Sequence, residues 1–362
     1  MIPYGRQSID ASDIAAVEKV LGSDFLTSGP AVTDFEDAVA DYVGAKHAIS
    51  FTSATAALHA ACAVTDLKPT DTAVTSPLTF IATANCVRYV GAQPALVDIE
   101  MSTYNIDLAQ VPSSARAVLP VHYAGLPVEL SNFAHVDQWV IEDASHGLGA
   151  RSTSERVGAT TNSDMCVFSF HPVKPITTGE GGMVTTNSAD LAEKLRQFRS
   201  HGIIRDPDPN TWLYNAETLG YNYRLTDLQA ALGLSQLSRL DSFIDQRNEI
   251  ALRYRELLSD LPVILPPAAP EGALHGYHLF AIRVAERTRV FRELREAGIG
   301  VQVHYVPVHH HGVSSDIELP AGGLPNCEEV YGGLISIPIY PGLTQQDQDT
   351  VVTEIRKAVA KK

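Results

Sequence analysis

The sequence predicts an α/β protein with a largely parallel central sheet and a smaller α+β unit near the C-terminal end. From residue 47 to residue 202, short apolar segments alternate with helical segments, which is typical of a parallel sheet covered by helices on both faces. The proline-rich run at residues 261–272 precedes a shorter strand, helix and strand pattern. We therefore predict a large domain over residues 1–245 and a small domain over residues 246–362.

Two helices are predicted before the first strand. Residues 1–8 resemble an irregular arm, and Ser8 or Asp10 is suited to cap a helix over residues 9–21. A second amphipathic helix is predicted over residues 33–43, where Gly44 provides the residue that commonly ends a helix. The polar loop between them contains glycine and proline.

Strands and helices then follow in turn. Runs of four to eight apolar and β-branched residues predict strands, at residues 47–51, 72–76, 94–99, 115–121, 138–143, 165–170 and 182–187. The intervening segments 54–64, 80–90 and 189–202 are predicted helices, and residues 225–258 form a long helical stretch with few breakers, within which we expect a connection to the second domain. In the last third, strands are predicted at 277–284 and 299–308, with helices at 287–298 and 345–359.

Composition excludes several classes of protein. The net charge of −15 makes a broad basic surface for nucleic acid improbable. The four cysteines form no CxxC pair, which argues against a disulfide framework or a structural zinc site and fits a reducing compartment. The start lacks a signal-peptide pattern, and no apolar run reaches the ~20 residues of a membrane span. We expect a soluble cytoplasmic protein.

The segment FSFHPVKPITTGEGGM, residues 168–183, is the most informative part of the chain. An apolar strand ends, Lys174 follows in a polar loop, and glycines lead into the next strand. In parallel sheets, ligands bind outside the carboxyl ends of strands. A lysine with a lowered pKa reacts readily with carbonyl groups. Lys174 is thus a candidate catalytic residue, although a surface lysine in a glycine-rich loop is the ordinary alternative.

A carboxylate follows another strand. The segment QWVIEDASHGLGA places Glu142 and Asp143 directly after an apolar run. Because side chains alternate along a strand, these two carboxylates are expected to point to opposite faces. Asp143 is the better partner for the ring nitrogen of pyridoxal phosphate (PLP), a cofactor that needs a nearby carboxylate. A helix cap is the alternative role of such an aspartate.

A phosphate seat and an aromatic ring complete the pattern. Ser53, Ala54 and Thr55 lie where a strand passes into a helix, and helix N-termini favour phosphate. Ser169 is placed to add a hydroxyl, and Phe80 is placed to stack on a flat cofactor. Taken one at a time, Ser53 and Thr55 more commonly serve as helix caps and Phe80 as a core residue, so the prediction depends on the co-occurrence of these features.

These segments together resemble the DegT/DnrJ/EryC1/StrS sugar aminotransferases. The resemblance covers nearly the whole chain and is carried by SATAAL, PLTFIATAN, VHYAG, IEDASHGLG, FSFHPVKPITTGEGG, GYNYRLTDLQAALGLSQL and VQVHYVPVH. It implies a fold-type I PLP-dependent transferase with a large and a small domain. It also implies a homodimer whose two active sites are each shared between subunits.

The resemblance implies roles for individual residues. Lys174 would carry the cofactor, Asp143 would pair with its ring nitrogen and Phe80 would stack on its ring. The other implied cofactor-binding residues are Ser53, Ala54, Thr55, His146, Ser169 and, from the partner subunit across the interface, Asn222. The implied substrate-binding residues are Tyr4, Asp24, Phe25, Leu26, Thr27, Asn222, Arg224, Gln302, Val303, His304 and Tyr305.

Within this family, the IPYGRQSI start and the SDFLTSGP and QVHY segments are most similar to the 4-aminotransferases of pseudaminic acid biosynthesis. The implied reaction uses L-glutamate and a UDP-linked 4-keto sugar and gives UDP-4-amino-4,6-dideoxy-N-acetyl-β-L-altrosamine and 2-oxoglutarate. Another nucleotide, a C4 epimer or C3 amination is the first alternative, and a PLP-binding regulator without turnover is the second. Lysine at position 174, where related dehydratases carry histidine, favours transamination, and His171 is not at that position.

The segment from His309 to Asn326 is short and atypical of the family, which leaves the contacts at the sugar or uracil end unassigned. His309, His310 and His311 are consecutive. Because no HExxH motif or matching acid spacing accompanies them, we predict no functional metal site.

Overall fold

The computed structural model describes residues 1–133, 137–208 and 210–360. Its helices are α1 Ala11–Leu21, α2 Pro30–Val43, α3 Ala54–Ala63, α4 Ala82–Tyr89, α5 Ala189–Phe198, α6 Asp227–Leu237, α7 Leu240–Leu257, α8 Arg287–Glu296, α9 Pro325–Gly333 and α10 Gln345–Ala360. Its strands are β1 His47–Phe51, β2 Thr72–Thr75, β3 Gln93–Leu96, β4 Ala117–Leu119, β5 Trp139–Asp143, β6 Met165–Ser169, β7 Gly182–Thr186, β8 Ile203–Arg205, β9 Tyr214–Ala216, β10 Val263–Ile264, β11 Phe280–Val284 and β12 Leu334–Ile337.

The central sheet has the order β1-β7-β6-β5-β4-β2-β3. Strands β3, β2, β4, β5 and β6 are parallel, and β7 runs antiparallel to both of its neighbours, β6 and β1. All residues of β6 and β7 are buried, as expected for strands covered on both faces. The parallel strands β1, β2, β4, β5 and β6 therefore end at one edge of the sheet.

Gly182 brings the first strand and the lysine loop together at that edge. It pairs with Phe51 of β1 on one side and with Ser169 of β6 on the other. A Cβ atom at position 182 would lie 2.5 Å from the backbone of Ser53 and Ala54. Glycine is required here because the start of α3 approaches the sheet more closely than any side chain allows.

Helix starts follow local chemistry. Asp10 accepts hydrogen bonds from the Ser12 and Asp13 backbones and forms a capping box with Asp13, so α1 begins two residues later than predicted. Helix α2 begins at Pro30, earlier than predicted, because proline is preorganised for the first helical position. It ends at Gly44, whose φ of 84° is left-handed.

A second, antiparallel sheet has the order β10-β11-β12 and packs with α7, α8 and α10 around its own apolar cluster. Arg247 of α7 is buried there and donates to the carbonyl oxygens of Tyr277 and Ile339, both at 3.1 Å. Burial lowers the pKa of Arg247 to about 10. The predicted domain boundary after residue 245 falls inside α7, and this division remains a prediction.

Two predicted elements differ from the structure. The helical stretch 225–258 is divided between α6, which ends at Leu237, and α7, which begins at Leu240. The strand predicted over 299–308 is reduced to two isolated bridges, one between Ile299 and Ile2 of the N-terminal arm and one between Gln302 and Ser336. The hairpin of β8 and β9, whose residues are mostly exposed, was not predicted.

No helix within the described ranges combines the length and the apolar character needed to cross a lipid bilayer.

Replacing Gly182 with alanine tests the close approach of α3. Because the new Cβ would collide with backbone rather than with a flexible side chain, we expect Gly182→Ala to lower the free energy of unfolding by about 1–3 kcal/mol. Urea unfolding followed by circular dichroism measures this. Gly332→Ala is the control, because nothing lies within 4 Å of its Cβ position. Equal stability of the two variants would contradict the steric argument.

Candidate active site

A cavity of about 420 Å³ opens at the edge where the parallel strands end. Its walls come from the segments that follow β1, β2, β4, β5 and β6, and from residues flanking the second sheet. The sequence-predicted residues that line it are Tyr4, Ser53, Ala54, Thr55, Phe80, Asp143, His146, Ser169, Lys174, His304 and Tyr305. This position matches the rule that ligands bind beyond the carboxyl ends of parallel strands.

Lys174 reaches this cavity from the loop between β6 and β7. The ends of the loop are tied together, since the Phe170 N–H donates to Gly181 and the Thr178 N–H donates to Phe170. The Lys174 Nζ lies 3.4 Å from the Nε2 of His278. Burial lowers the pKa of Lys174 to about 8, although the nearby Asp143 carboxylate acts in the opposite direction. The amine is therefore available in both protonation states near neutral pH.

Asp143 is fixed at the end of β5. Its carboxylate accepts hydrogen bonds from the Thr83 hydroxyl at 2.7 Å and from the Ser145 hydroxyl and N–H at 2.6 and 3.1 Å. Glu142 points to the opposite face, as alternation predicts, and contacts the His122 Nε2 at 2.8 Å. Only Asp143 thus presents a carboxylate to the cavity from this strand.

The N-terminus of α3 forms another wall. Ser53 caps the helix by accepting the Ala56 N–H at 3.1 Å, and the first N–H groups of a helix lack partners within the helix. Ser169 lies beside this terminus through its pairing with Gly182. The backbone at Ala54 and Thr55, together with nearby hydroxyls, provides a site suited to a phosphate group.

Aromatic rings close the opposite side. The Phe80 ring lies 5.8 Å from that of Tyr305, and the Tyr305 hydroxyl lies 2.9 Å from the Nε2 of His146. The His146 and His278 rings are 4.4 Å apart. Flat groups therefore surround the space in front of Lys174, and such a space suits a planar ligand.

Three histidines that line the cavity have pKa values below the ordinary value, which favours their neutral form. Burial, and then the neighbouring Lys174, hold the pKa values of His146 and His278 well below the ordinary value. Burial lowers the pKa of His304 to about 3. The Nδ1 atoms of His146 and His278 are buried without a hydrogen-bond partner among the described residues. The site thus contains polar atoms that the protein alone leaves unpaired.

The remaining predicted residues lie away from the cavity of a single chain. Asn222 is exposed and pairs with Ser200 through the backbone, and Thr27 pairs with Thr226. The predicted residues outside the cavity lining are Asp24, Phe25, Leu26, Thr27, Asn222, Arg224, Gln302 and Val303. Their roles stay predictions that depend on a second subunit or on bound substrate.

Sequence reasoning missed three groups of the site. Thr83 and Ser145 hold Asp143, and His278 faces Lys174. The position of Thr83 three residues after Phe80, on the same helical face, is a signal that was available. His278 follows Lys174 by 104 residues and lies in a segment that predicts only a strand, so its place had no local signal.

The structure brings His309 and His310 to the carboxylate of Glu328, with Nε2 to Oε1 distances of 2.6 and 2.8 Å. Both imidazoles lower the pKa of Glu328. The contacts are hydrogen bonds or ion pairs, and the predicted absence of a functional metal stays untested.

The residues present fit PLP. The cavity offers a buried amine for the cofactor aldehyde, a carboxylate for its ring nitrogen and a helix N-terminus for its phosphate. The unpaired Nδ1 atoms of His146 and His278 offer further polar contacts. No rearrangement of the chain is needed to supply these groups.

Comparison with known proteins supports the same family as the sequence motifs. The profile of the DegT/DnrJ/EryC1/StrS aminotransferase family matches residues 7–356. The spore coat polysaccharide biosynthesis protein SpsC of Bacillus subtilis is 36% identical over 379 residues, covering 99% of this chain and 97% of its own. Protein MJ1066 of Methanocaldococcus jannaschii is 37% identical over 99% of this chain and 98% of its own.

Solved structures are also similar. Helicobacter pylori PseC, an aminotransferase of pseudoaminic acid biosynthesis, superposes with a TM-score of 0.92 at 30% identity and full coverage of both chains. S. venezuelae DesV has a TM-score of 0.89 at 31% identity over 97% of this chain and 95% of its own. Streptococcus pneumoniae Spr1654, solved in a PLP form, shares the fold with a TM-score of 0.91 at 24% identity over 99% of both chains.

The lowered pKa of Lys174 predicts how fast the apoprotein captures PLP. Only the neutral amine reacts, so the capture rate should rise with pH through a midpoint near 8 and then level off. The reaction rate of the control compound Nα-acetyl-lysine, whose ε-amine is free, should still be rising above pH 9, because an ordinary lysine has a pKa of about 10.4. Stopped-flow absorbance measures both rates, and borohydride followed by mass spectrometry locates the adduct. Equal midpoints would contradict the buried environment of the amine.

Proposed function

Because this chain belongs to the DegT/DnrJ/EryC1/StrS aminotransferase family, we propose that it transfers the amino group of L-glutamate to C4 of a UDP-linked 4-keto-6-deoxy-N-acetyl hexose. The predicted family, fold type, aminotransferase class and PLP cofactor are confirmed, and the chain is a sugar aminotransferase. The proposed products are 2-oxoglutarate and UDP-4-amino-4,6-dideoxy-N-acetyl-β-L-altrosamine.

One observation carries the proposal. The Lys174 amine, with a pKa lowered to about 8, and the hydrogen-bonded Asp143 carboxylate open on the same cavity. A surface lysine would lie in solvent, and a capping aspartate would have no reason to face an amine. A PLP-binding regulator without turnover has no use for an amine held in a reactive state, so this observation does not support that alternative.

When bound, PLP supplies an electron sink that makes a C–H bond beside the transferred nitrogen acidic. Asp143 would balance the charge of the protonated ring nitrogen, and the hydroxyls of Thr83 and Ser145 keep its oxygens oriented. The start of α3 and Ser169 would hold the phosphate by N–H and O–H donation. Phe80 would cover one face of the ring.

Lys174 would move the protons of both half-reactions. Its neutral amine would remove the α-proton of L-glutamate, and its ammonium form would deliver a proton to C4 of the sugar. The same group must act as base and then as acid, and a pKa near the working pH allows both. The pKa values of His146 and His278 lie well below the ordinary value, so Lys174 is the strongest base of these three groups.

The choice of sugar nucleotide is supported by likeness and by the predicted substrate segments. The structure of H. pylori PseC is similar over the whole chain, and Tyr4, His304 and Tyr305 lie at the cavity where a sugar would enter. The likeness to SpsC of B. subtilis supports the second candidate, a sugar aminotransferase of polysaccharide synthesis that uses another nucleotide or another ring carbon. A cytoplasmic location is part of the proposal, and the four cysteines, all free thiols, support it.

A substrate panel tests the proposed reaction. The holoenzyme and L-glutamate are incubated with UDP-linked 4-keto-6-deoxy-N-acetyl sugars of both ring configurations, and products are identified by mass spectrometry. We expect one configuration to yield a 4-amino sugar and an equal amount of 2-oxoglutarate. Lys174→Ala should give no multiple turnover, because it lacks the proton-transfer group.

Amination of neither UDP sugar would reject the proposed substrate. A keto sugar on another nucleotide that is aminated under the same conditions would then establish the second candidate. An active Lys174→Ala enzyme would reject the role of Lys174.

We also propose a homodimer with shared active sites. Several large apolar side chains are exposed on the single chain, and Trp212 is 87% exposed. Such side chains near the predicted partner-binding residues are suited to an interface, and they comprise Phe25, Leu26, Trp212, Leu213, Tyr214 and Leu219. Asn222 is exposed and follows the last of these segments in the sequence, and we propose that it reaches a neighbouring subunit.

Complementation tests the shared site. Lys174→Ala should be inactive, and Asn222→Ala should lose roughly tenfold or more of its activity if it contacts a charged group. After subunit exchange of equal amounts, half of the dimers would be mixed and one of their two sites intact, so about a quarter of wild-type activity should return. No recovery despite proven exchange would show that each subunit builds its own site.

A further inference from the structure

We infer that His278 is a positioning residue for the Lys174 amine, holding it through a neutral ring nitrogen whenever the amine is not joined to the cofactor. This inference rests on the proposed function, because it assigns a role within the same site. It concerns a residue that sequence patterns did not single out and that lies 104 positions from the lysine.

The backbone on both sides of His278 is pinned. The carbonyl oxygen of Tyr277 accepts the buried Arg247 guanidinium at 3.1 Å, and the Leu279 N–H donates to Ala124 at 3.3 Å. Only 4% of His278 is exposed. Its Nε2 lies 3.4 Å from the Lys174 Nζ, a length that catalytic hydrogen bonds in empty sites often have before they tighten around substrate. The imidazole is therefore a fixed point against which a flexible lysine is oriented.

The charge state of His278 defines the direction of this contact. Burial, followed by the charge of Lys174 and the presence of His146, keeps the pKa of His278 well below the ordinary value. An ammonium group can only donate, so while Lys174 is protonated the Nε2 of a neutral His278 accepts its hydrogen bond and the imidazole proton lies on Nδ1. The other two N–H groups of the ammonium are then directed elsewhere in the cavity.

Stability does not explain this histidine. The Nδ1 of His278 is buried with no partner among the described residues, and an unpaired buried polar group is destabilising. Leucine would fill a similar volume without that cost. A residue that serves packing alone would be apolar here, whereas a residue that serves the amine needs the ring nitrogen.

The contact also affects how easily Lys174 loses its proton. A hydrogen-bond acceptor favours the ammonium over the neutral amine, so His278 opposes the lowering effect of burial on the pKa of Lys174. The other titratable groups at the cavity are Tyr4, Asp143, His146, His171, Glu180, His304 and Tyr305. Among these groups, Asp143 also raises the pKa of Lys174.

The test compares wild type, His278→Leu and His278→Gln, with His275→Asn as the matched control. His275 is a buried histidine three residues away that does not line the cavity, and its Nδ1 accepts the Tyr277 N–H, which asparagine can mimic. Three quantities are measured on each full-length protein. They are the pH midpoint of PLP capture by the apoprotein, the single-turnover rate with L-glutamate, and the melting temperature.

We expect the capture midpoint of His278→Leu to fall by about one pH unit, as the loss of a hydrogen bond to a charged group implies. Its single-turnover rate should fall about tenfold or more at saturating L-glutamate, with little change in the half-saturating concentration. Its melting temperature should stay equal to that of wild type or rise. His278→Gln should recover part of the rate, and His275→Asn should behave as wild type.

An unchanged midpoint and rate in His278→Leu would overturn the inference. Failure of that variant to fold would also overturn it, because the inference assigns His278 no part in stability. The proposed function is judged separately: if the wild-type apoprotein does not attach PLP at Lys174, the proposed function fails. If it does and the leucine variant is indistinguishable from it, only the role of His278 is lost.

Discussion

The opposition between burial and charge at Lys174 is the constraint on which the rest of the site depends. Removing the amine from water lowers its pKa to about 8, and the carboxylate of Asp143 limits that fall. The amine needs low-polarity walls to remain reactive, yet it also needs nearby polar groups to guide its protons. Uncharged imidazoles satisfy both needs, since they supply ring nitrogens without adding a second positive charge.

The strand order of the central sheet determines where Lys174 lies. Strands β1, β5 and β6 all end at one edge, and β7 enters the sheet between β6 and β1 in the opposite direction. The loop that carries Lys174 must therefore cross that edge to reach Gly182. The missing side chain at Gly182 lets the start of α3 approach this loop. One antiparallel strand thus joins the amine and the phosphate seat, through its pairing with β1, a strand far from it in the sequence.

There is a physical reason why part of the site could be predicted from the sequence. Asp143 and Ser169 end apolar strands, and Ser53 and Lys174 lie in segments that follow such strands, so a linear pattern and the geometry of parallel sheets were sufficient to bring them together. His278 lies just before β11 of the second sheet, and its approach to Lys174 depends on how the two parts of the chain pack, which no local pattern encodes. The strand predicted over 299–308 was wrong, and the two bridges that remain there pair it with Ile2 and Ser336, which no local pattern identifies as partners.

The residues that would hold the cofactor and the residues proposed for the sugar nucleotide consequently lie on different kinds of structure. Groups for the cofactor stand on buried strands and on a capped helix, where small displacements cost packing energy. Groups proposed for the sugar nucleotide lie on the arm, on the exposed segment 24–27 and across a predicted subunit interface. Surface segments tolerate substitution far better than core strands. A family built in this way can keep one amine chemistry while its members accept different sugars.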